Sequence, residues 1–318
     1  MPRIEPATRE TVSQAAALLR SGGLIAFPTE TVYGLGANAI DDSAVARIFE
    51  AKARPRFNPL IVHVRDIEHA DSIAVFDALA SRLAQTFWPG PLTLVLPRRF
   101  AAQISLLASA GLDTVALRVP SHPVVQNLLA ESQLPLAAPS ANRSGTISAT
   151  RASHVAESLG ESVDLVLDGG AAPLGVESTI VGFDAKGPLL LRPGALERDR
   201  IEAVIGELHD YQGDLVQSPG RLQSHYAPRA VLHLNAQNAG DAEALLAFGP
   251  TNFPRSAHIM RNLSPTGDLR EAAANLFAML HELDNTGCNS IAVMSVPDVG
   301  LGEAINDRLR RAAAPRES

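Results

Sequence analysis

The 318-residue sequence predicts an α/β protein built as two domains. Short apolar stretches of strand length alternate with amphipathic helical ones from residue 8 to residue 312. Composition shifts over 208–228, where Tyr211, Gly213, Ser218-Pro219-Gly220 and Ser224-His225-Tyr226-Ala227-Pro228 read as a linker. The chain is also long enough for two cores. The expected division is a first domain over 1–207, a linker over 208–228 and a smaller α/β domain over 229–318.

A hydrophobic content of 46% and a charged content of 19% belong to a folded globular chain. The net charge of −7 argues against gripping nucleic acid over the whole surface but leaves room for a local basic cleft. No apolar run approaches the roughly 20 residues that span a bilayer. Met-Pro-Arg-Ile-Glu-Pro at the start lacks the apolar segment of a leader. A cytoplasmic protein with no membrane partner is therefore expected. Cys288, the sole cysteine, excludes an internal disulfide and a thiolate zinc site, and reads as a small buried filler.

Val12, Ala15, Ala16, Leu18 and Leu19 predict a helix over 8–20, stopped by Ser21-Gly22-Gly23. Leu24-Ile-Ala-Phe27 is a short buried strand, and Thr29 to Gly36 a hydroxyl-rich loop. Gly34-x-Gly36-x-x-Ala39 matches a dinucleotide fingerprint only superficially, because Pro28 and a polar run separate strand from glycines. The glycines read instead as room for close backbone approach. Asp41 or Asp42 caps a helix running to about Ala51.

Alternation over 59–64 puts Leu60, Val62 and Val64 on one strand face and Ile61 with His63 on the other. A helix over 73–87 ends at the corner Phe87-Trp88-Pro89-Gly90-Pro91, where Trp88 is a packing anchor. Strands follow at 92–96 and 114–120. The second carries Arg118, and an arginine in a core strand calls for an anionic partner. Helices over 122–129 and 150–159, strands at 134–138, 164–168, 179–182 and 189–191, and a helix over 196–205 complete the first part. Beyond the linker, strands are expected at 230–234, 244–248, 257–261 and 290–296, with helices over 268–284 and 303–312.

The chemistry centres on Lys52-Ala-Arg54-Pro-Arg-Phe-Asn58-Pro-Leu-Ile-Val-His63. Pro55 and Pro59 hold Arg54 and Asn58 on extended backbone. Lys52 is one of only two lysines, and a compact ammonium suits phosphate as a point charge. Strand ends at Thr29–Thr31, Arg118, Ser140–Asn142, Glu177–Thr179 and Arg192 bring further hydroxyl, amide and guanidinium groups, and such ends converge on one crevice in α/β sheets. The sequence has no H-E-x-x-H, C-x-x-C, Walker A or G-x-S-x-G motif. A cleft rich in Arg, Ser, Thr and Asn points to catalysis by positioning and charge stabilisation, as in nucleotidyl transfer.

Seven ordered motifs resemble the YrdC-type threonylcarbamoyl-AMP synthases. They are Phe27-Pro-Thr-Glu-Thr-Val-Tyr-Gly-Leu-Gly-Ala37, Lys52-x-Arg54-Pro-x-x-Asn58-Pro-Leu-x-x-His63, Trp88-Pro-Gly-Pro-x-Thr93, Arg118-x-Pro120, Ala138-Pro-Ser140-Ala-Asn142-x-Ser-Gly145, Glu177-Ser-Thr179 and Leu191-Arg-Pro-Gly194. Ser218-Pro-Gly220 with His225-Tyr-Ala-Pro228 resembles the linker of the longer, two-domain members. The resemblance implies a twisted mixed sheet with flanking helices plus a smaller Rossmann-like α/β domain. It implies synthesis of L-threonylcarbamoyladenylate and pyrophosphate from L-threonine, bicarbonate and ATP, for other proteins that modify adenosine 37 of tRNA. ATP contacts are implied for Arg54, Asn58, Thr114, Ser140, Ser148 and Arg192, with Tyr226 closing over the nucleotide. Thr31, His63, Arg118, the Ala138 backbone and Ser178 are implied for L-threonine. Lys52 and Asn142 join Arg54 and Ser140 as catalytic, and Mg²⁺ arrives with ATP rather than in a protein cage.

Two rival readings remain at this point. The same basic cleft suits a double-stranded RNA binder or ribosome-assembly factor, against which acidic charge and missing exposed aromatics weigh. The domain also resembles part of the hydrogenase-maturation carbamoyl transferases, whose zinc-finger and acylphosphatase-like segments are missing here.

Overall fold

A computed structural model describes residues 2–211, 224–240, 242–250 and 259–315. The first part runs β1 (Ile4–Pro6), α1 (Arg9–Arg20), β2 (Ile25–Pro28), β3 (Tyr33–Asn38), α2 (Asp42–Lys52), β4 (Ile61–His63), α3 (Ile67–Ile73), α4 (Ala78–Phe87), β5 (Leu92–Pro97) and β6 (Thr114–Arg118). It continues through α5 (Pro123–Ser132), β7 (Leu136–Ala137), α6 (Ala152–Leu159), β8 (Leu165–Asp168), β9 (Thr179–Asp184), β10 (Gly187–Arg192), α7 (Arg198–Ile205) and β11 (His209–Asp210). The C-terminal part is β12 (Val231–Leu234), β13 (Ala244–Ala247), β14 (Ile259–Asn262), α8 (Leu269–Asp284), β15 (Ser290–Val293) and α9 (Leu301–Ala313).

Two sheets result. The large one is mixed and 11-stranded, ordered β1-β8-β2-β3-β7-β4-β6-β5-β9-β10-β11. The small one, β12-β15-β13-β14, is parallel throughout. Helices begin where the sequence offers oxygen caps: Thr8 before α1, Asp41 before α2 and Asp268 before α8 each accept from backbone N–H groups of the first turn. No described helix is long and apolar enough to cross a membrane.

The alternation expected for β4 holds. Leu60, Val62 and Val64 join the main core, while Ile61 packs with Val95, Ala116, Ile180, Leu189 and Leu191 on the opposite sheet face. That opposite face carries the chemistry. In the parallel β4–β6 register His63 lies beside Arg118. Period two puts Thr114, Ala116 and Arg118 on one face, with Thr114 about 13 Å from Arg118 along the strand.

Several expectations change. Tyr33 to Gly36, the second half of the stretch read as a hydroxyl-rich loop, instead belongs to a strand, Tyr33–Asn38, paired to β2 and β7. The glycines accommodate a ring rather than a passing backbone: a Cβ at Gly36 would fall 2.4 Å from Phe27 Cε1. The helix expected over 73–87 begins only at Ala78, capped by Asp77, and a separate short helix, Ile67–Ile73, capped by Asp66, precedes it. Cys288 is only partly buried, with its thiol directed at Leu283 O. Within the stretch expected as linker, β11 pairs with β10 and residues 212–223 lie outside the described residues, as do residues 257 and 258 of the strand expected at 257–261.

Candidate active site

The pocket is built on the turn between β2 and β3, the ends of β4 and β6, the loop after β7, and the loop that enters β9. Its lining brings together Thr31, His63, Arg118, Ala138 and Ser178 with Arg54, Ser140, Glu177, Arg192, His225 and Tyr226, and the two sets meet where Arg192 Nη2 donates to Ser178 Oγ at 3.2 Å.

Arg118 has the anionic partner its burial demands. Nη2 donates to Glu30 Oε1 at 2.6 Å, Nη1 to Thr31 Oγ1 at 2.9 Å and Nε to Gly90 O at 3.2 Å. Burial raises the Glu30 carboxyl pKa, but the Arg118 charge and hydrogen bond outweigh that and hold it below its ordinary value. Three of the five guanidinium protons are thus committed, leaving two for a ligand. His63 beside it is 3% exposed, meets the Phe27 ring edge-on, and has no partner for Nδ1. Burial, reinforced by Arg118, pushes its pKa down to about 3, so it stays neutral. Ser178 Oγ pairs with Thr93 Oγ1 at 2.8 Å. The Ala138 amide is already spent on Ile61 O, which leaves its carbonyl to offer.

In the second set Arg54 donates to Asn58 O and Pro59 O, which fold its own loop around the guanidinium. Burial lowers its pKa to about 10, so it remains a cation. Arg192 donates to Ser178 O at 2.7 Å. Glu177 is the one carboxylate among the lining residues. Burial raises its pKa, but Arg308 and then Arg192 pull it down to about 2. Among the described residues, buried side-chain polar atoms without a hydrogen-bond partner belong to Asn58, His63, Arg98, Asn142, His225 and Arg308, of which His63 and His225 line the pocket. Such orphans are rare in interiors, and the two ring nitrogens in the lining are atoms to which a ligand can supply the missing bonds.

A Sua5/YciO/YrdC family model, described as telomere recombination, matches residues 17–194. A second, described as the threonylcarbamoyl-AMP synthase C-terminal domain, matches 196–314. Threonylcarbamoyl-AMP synthase of Pyrococcus abyssi is 41% identical over 95% of this chain and 94% of its own length. That of Bacillus subtilis is 43% identical over 96% and 93%. The chain belongs to the threonylcarbamoyl-AMP synthase family. A crystal structure of P. abyssi Sua5 complexed with L-threonine superposes with a TM-score of 0.89 at 39% identity, over 98% of this chain and 97% of that one. The match extends across both sheets, as in the longer form of the synthases.

Not every residue expected from the synthase motifs faces the pocket. Lys52, 1% exposed, donates to Ser140 O at 2.6 Å and to Asn142 O, so its ammonium ties down the loop after β7 instead of presenting a point charge. The Asn142 side chain braces the same loop through Arg143 O and Thr146 O. Asn58 is fully buried behind Arg54. Ser148 lies behind Glu177 and gives its proton to Oε1 at 2.6 Å. Thr114 lines a separate groove with Val95, Leu189 and Tyr211. The sequence reading also missed Glu30 as the Arg118 partner and Arg308, which reaches Glu177 from α9. A signal for Arg308 was present: it continues the inward stripe Leu301, Ala304, Ile305, Leu309, where a lone cation is out of place.

Proposed function

We propose that this chain makes L-threonylcarbamoyladenylate and pyrophosphate from L-threonine, bicarbonate and ATP, the product serving threonylcarbamoyl modification of adenosine 37 in tRNA. The observation that carries this reading is one cavity whose lining holds two chemically distinct sets of groups. A guanidinium with two spare protons, hydroxyls and a neutral imidazole suit a zwitterionic hydroxy amino acid. Two buried guanidiniums beside it suit a triphosphate.

In this reading the threonine carboxylate takes the spare Arg118 protons, and Thr31, His63, Ser178 and the Ala138 carbonyl orient the rest. Arg54, Arg192 and Ser140 hold the phosphates. Adenosine lies along the apolar sheet face toward Thr114. The neutral threonine amine bonds to the bicarbonate carbon as the C–OH bond breaks, and the hydroxyl leaves as water with one amine proton, giving N-carboxy-threonine. Its carboxylate oxygen bonds to the α-phosphorus as the bond to the β-phosphate oxygen breaks, and pyrophosphate leaves with that electron pair. The protein contributes placement and charge neutralisation. Lining donors are mainly guanidinium, hydroxyl and backbone groups, and Glu177 is already engaged, so Mg²⁺ fits as a passenger of the triphosphate.

The cavity as described has a free volume of about 50 Å³, room for a few waters only. His225 and Tyr226 belong to the nucleotide set of its lining, and Tyr226 holds a left-handed φ of 64°, a strained conformation for an aromatic residue. Entry of ATP therefore needs this segment to swing out, after which Tyr226 closes over the nucleotide.

Pyrophosphate release tests the reading. Release is expected only when ATP, L-threonine and bicarbonate are all present. Release that ignores threonine, or RNA binding without any release, contradicts it.

A further inference from the structure

The carboxylate of Glu177 stands in the wall of a cavity that must attract a polyanion, and a bare negative charge there works against binding. Its compensation comes from the other sheet's side of the molecule. Resting on the reading that the triphosphate lies on Arg54 and Arg192, we propose that Arg308, carried by α9, is a positioning residue for the nucleotide half of the reaction, holding Glu177 from behind so that the pocket keeps its excess of positive charge.

Arg308 is 0% exposed. Its Nε donates to Glu177 Oε2 at 2.9 Å and its Nη1 to Pro193 O and Asp307 Oδ2, each at 2.8 Å. Nη2 has no partner, and the guanidinium carbon lies 5.4 Å from the centre of the Tyr226 ring. One side chain thus touches the acidic wall residue, the carbonyl next to Arg192 and the aromatic ring of the nucleotide set. Glu177 Oε1 accepts from Ser148. Both oxygens of the carboxylate are thus occupied, one by Arg308 on α9 and one by Ser148. Without Arg308 the carboxylate is left to Arg192, and the charge balance beside the pocket shifts by one toward negative.

The backbone of this loop is fixed separately. Gly175, at φ 69°, lies so close to α8 that a Cβ there would come within 2.3 Å of Ala273 O. Leu301, Ile305 and Leu309 anchor α9 in the adjoining core. Loss of the Arg308 guanidinium therefore alters the charge beside the pocket while the docking of the two sheets remains.

Binding of ATP and of L-threonine, titrated separately by calorimetry on the full chain, tests the proposal. Arg308→Met is expected to weaken ATP by about tenfold or more while threonine stays within about twofold of wild type. Arg308→Met combined with Glu177→Gln removes both charges and is expected to return ATP to within about threefold of wild type. A simple packing role would not give that rescue. The proposal fails if Arg308→Met binds ATP like wild type, if both ligands weaken together, or if the double variant is as weak as the single one. Failure of the wild type itself to bind ATP would remove the proposed function rather than this inference alone.

Discussion

Threonine-dependent turnover is expected to collapse when Arg118 is replaced, whereas ATP binding is expected to survive. The single change to alanine is a poor probe, because it leaves the Glu30 carboxylate buried without its partner at 2.6 Å. Breaking a buried pair in that way costs about 3–5 kcal/mol, a large share of the 5–15 kcal/mol that holds a typical domain together. Arg118→Met with Glu30→Gln removes both charges and keeps the volume. In that background the substrate carboxylate loses its charge-assisted hydrogen bonds, a loss of about 3 kcal/mol or more, or over a hundredfold in kcat/KM for threonine. The dissociation constant for ATP should stay within about twofold, since Arg118 is bonded to Glu30, Thr31 and Gly90 and shares no hydrogen-bond partner with Arg54 or Arg192. Equal loss of both substrates would count against separate groups for the two substrates.

Lys52→Met is expected to be nearly as damaging, by a different route. Its ammonium serves Ser140 O and Asn142 O, and removing it strands both carbonyls in a dry interior at about 1–3 kcal/mol each. The loop that presents Ser140 then relaxes, and a displacement of about 1 Å at a reacting centre costs about a hundredfold in rate. Lys52→Arg separates this account from direct phosphate binding. A point charge aimed at phosphate would be partly replaced by arginine, but a 1%-exposed slot between two carbonyls has no room for a guanidinium. Pyrophosphate release and melting temperature should therefore fall for arginine as for methionine. An arginine variant close to wild type would restore the phosphate role.

The legible parts of this molecule were those governed by short-range periodicity. Strand parity alone put Ile61 and His63 opposite Val62, and the inward arginine of β6 announced itself by its apolar neighbours. Strand β3 escaped because glycine carries a poor strand signal, and only the Phe27 ring lying on Gly34 and Gly36 explains why the strand tolerates them. Residue type fixed the chemistry of Lys52 but not its direction, which depends on where the loop after β7 passes. The pairings of Glu30 and Arg308 were beyond reach for the same reason. Their partners, Arg118 and Glu177, lie 88 and 131 residues away. Ser148 and Thr114 show the converse: a motif marks a residue without saying whether it meets the ligand or the wall behind it.

A crystal structure with L-threonine and a non-hydrolysable ATP analogue bound together tests the central claim most directly. The account predicts the threonine carboxylate on Arg118, the phosphates on Arg54 and Arg192, and the amino group turned toward the α-phosphorus, with Tyr226 over the nucleotide. A nucleotide bound outside this cavity, or Arg118 and Arg192 gripping the same ligand, would contradict it.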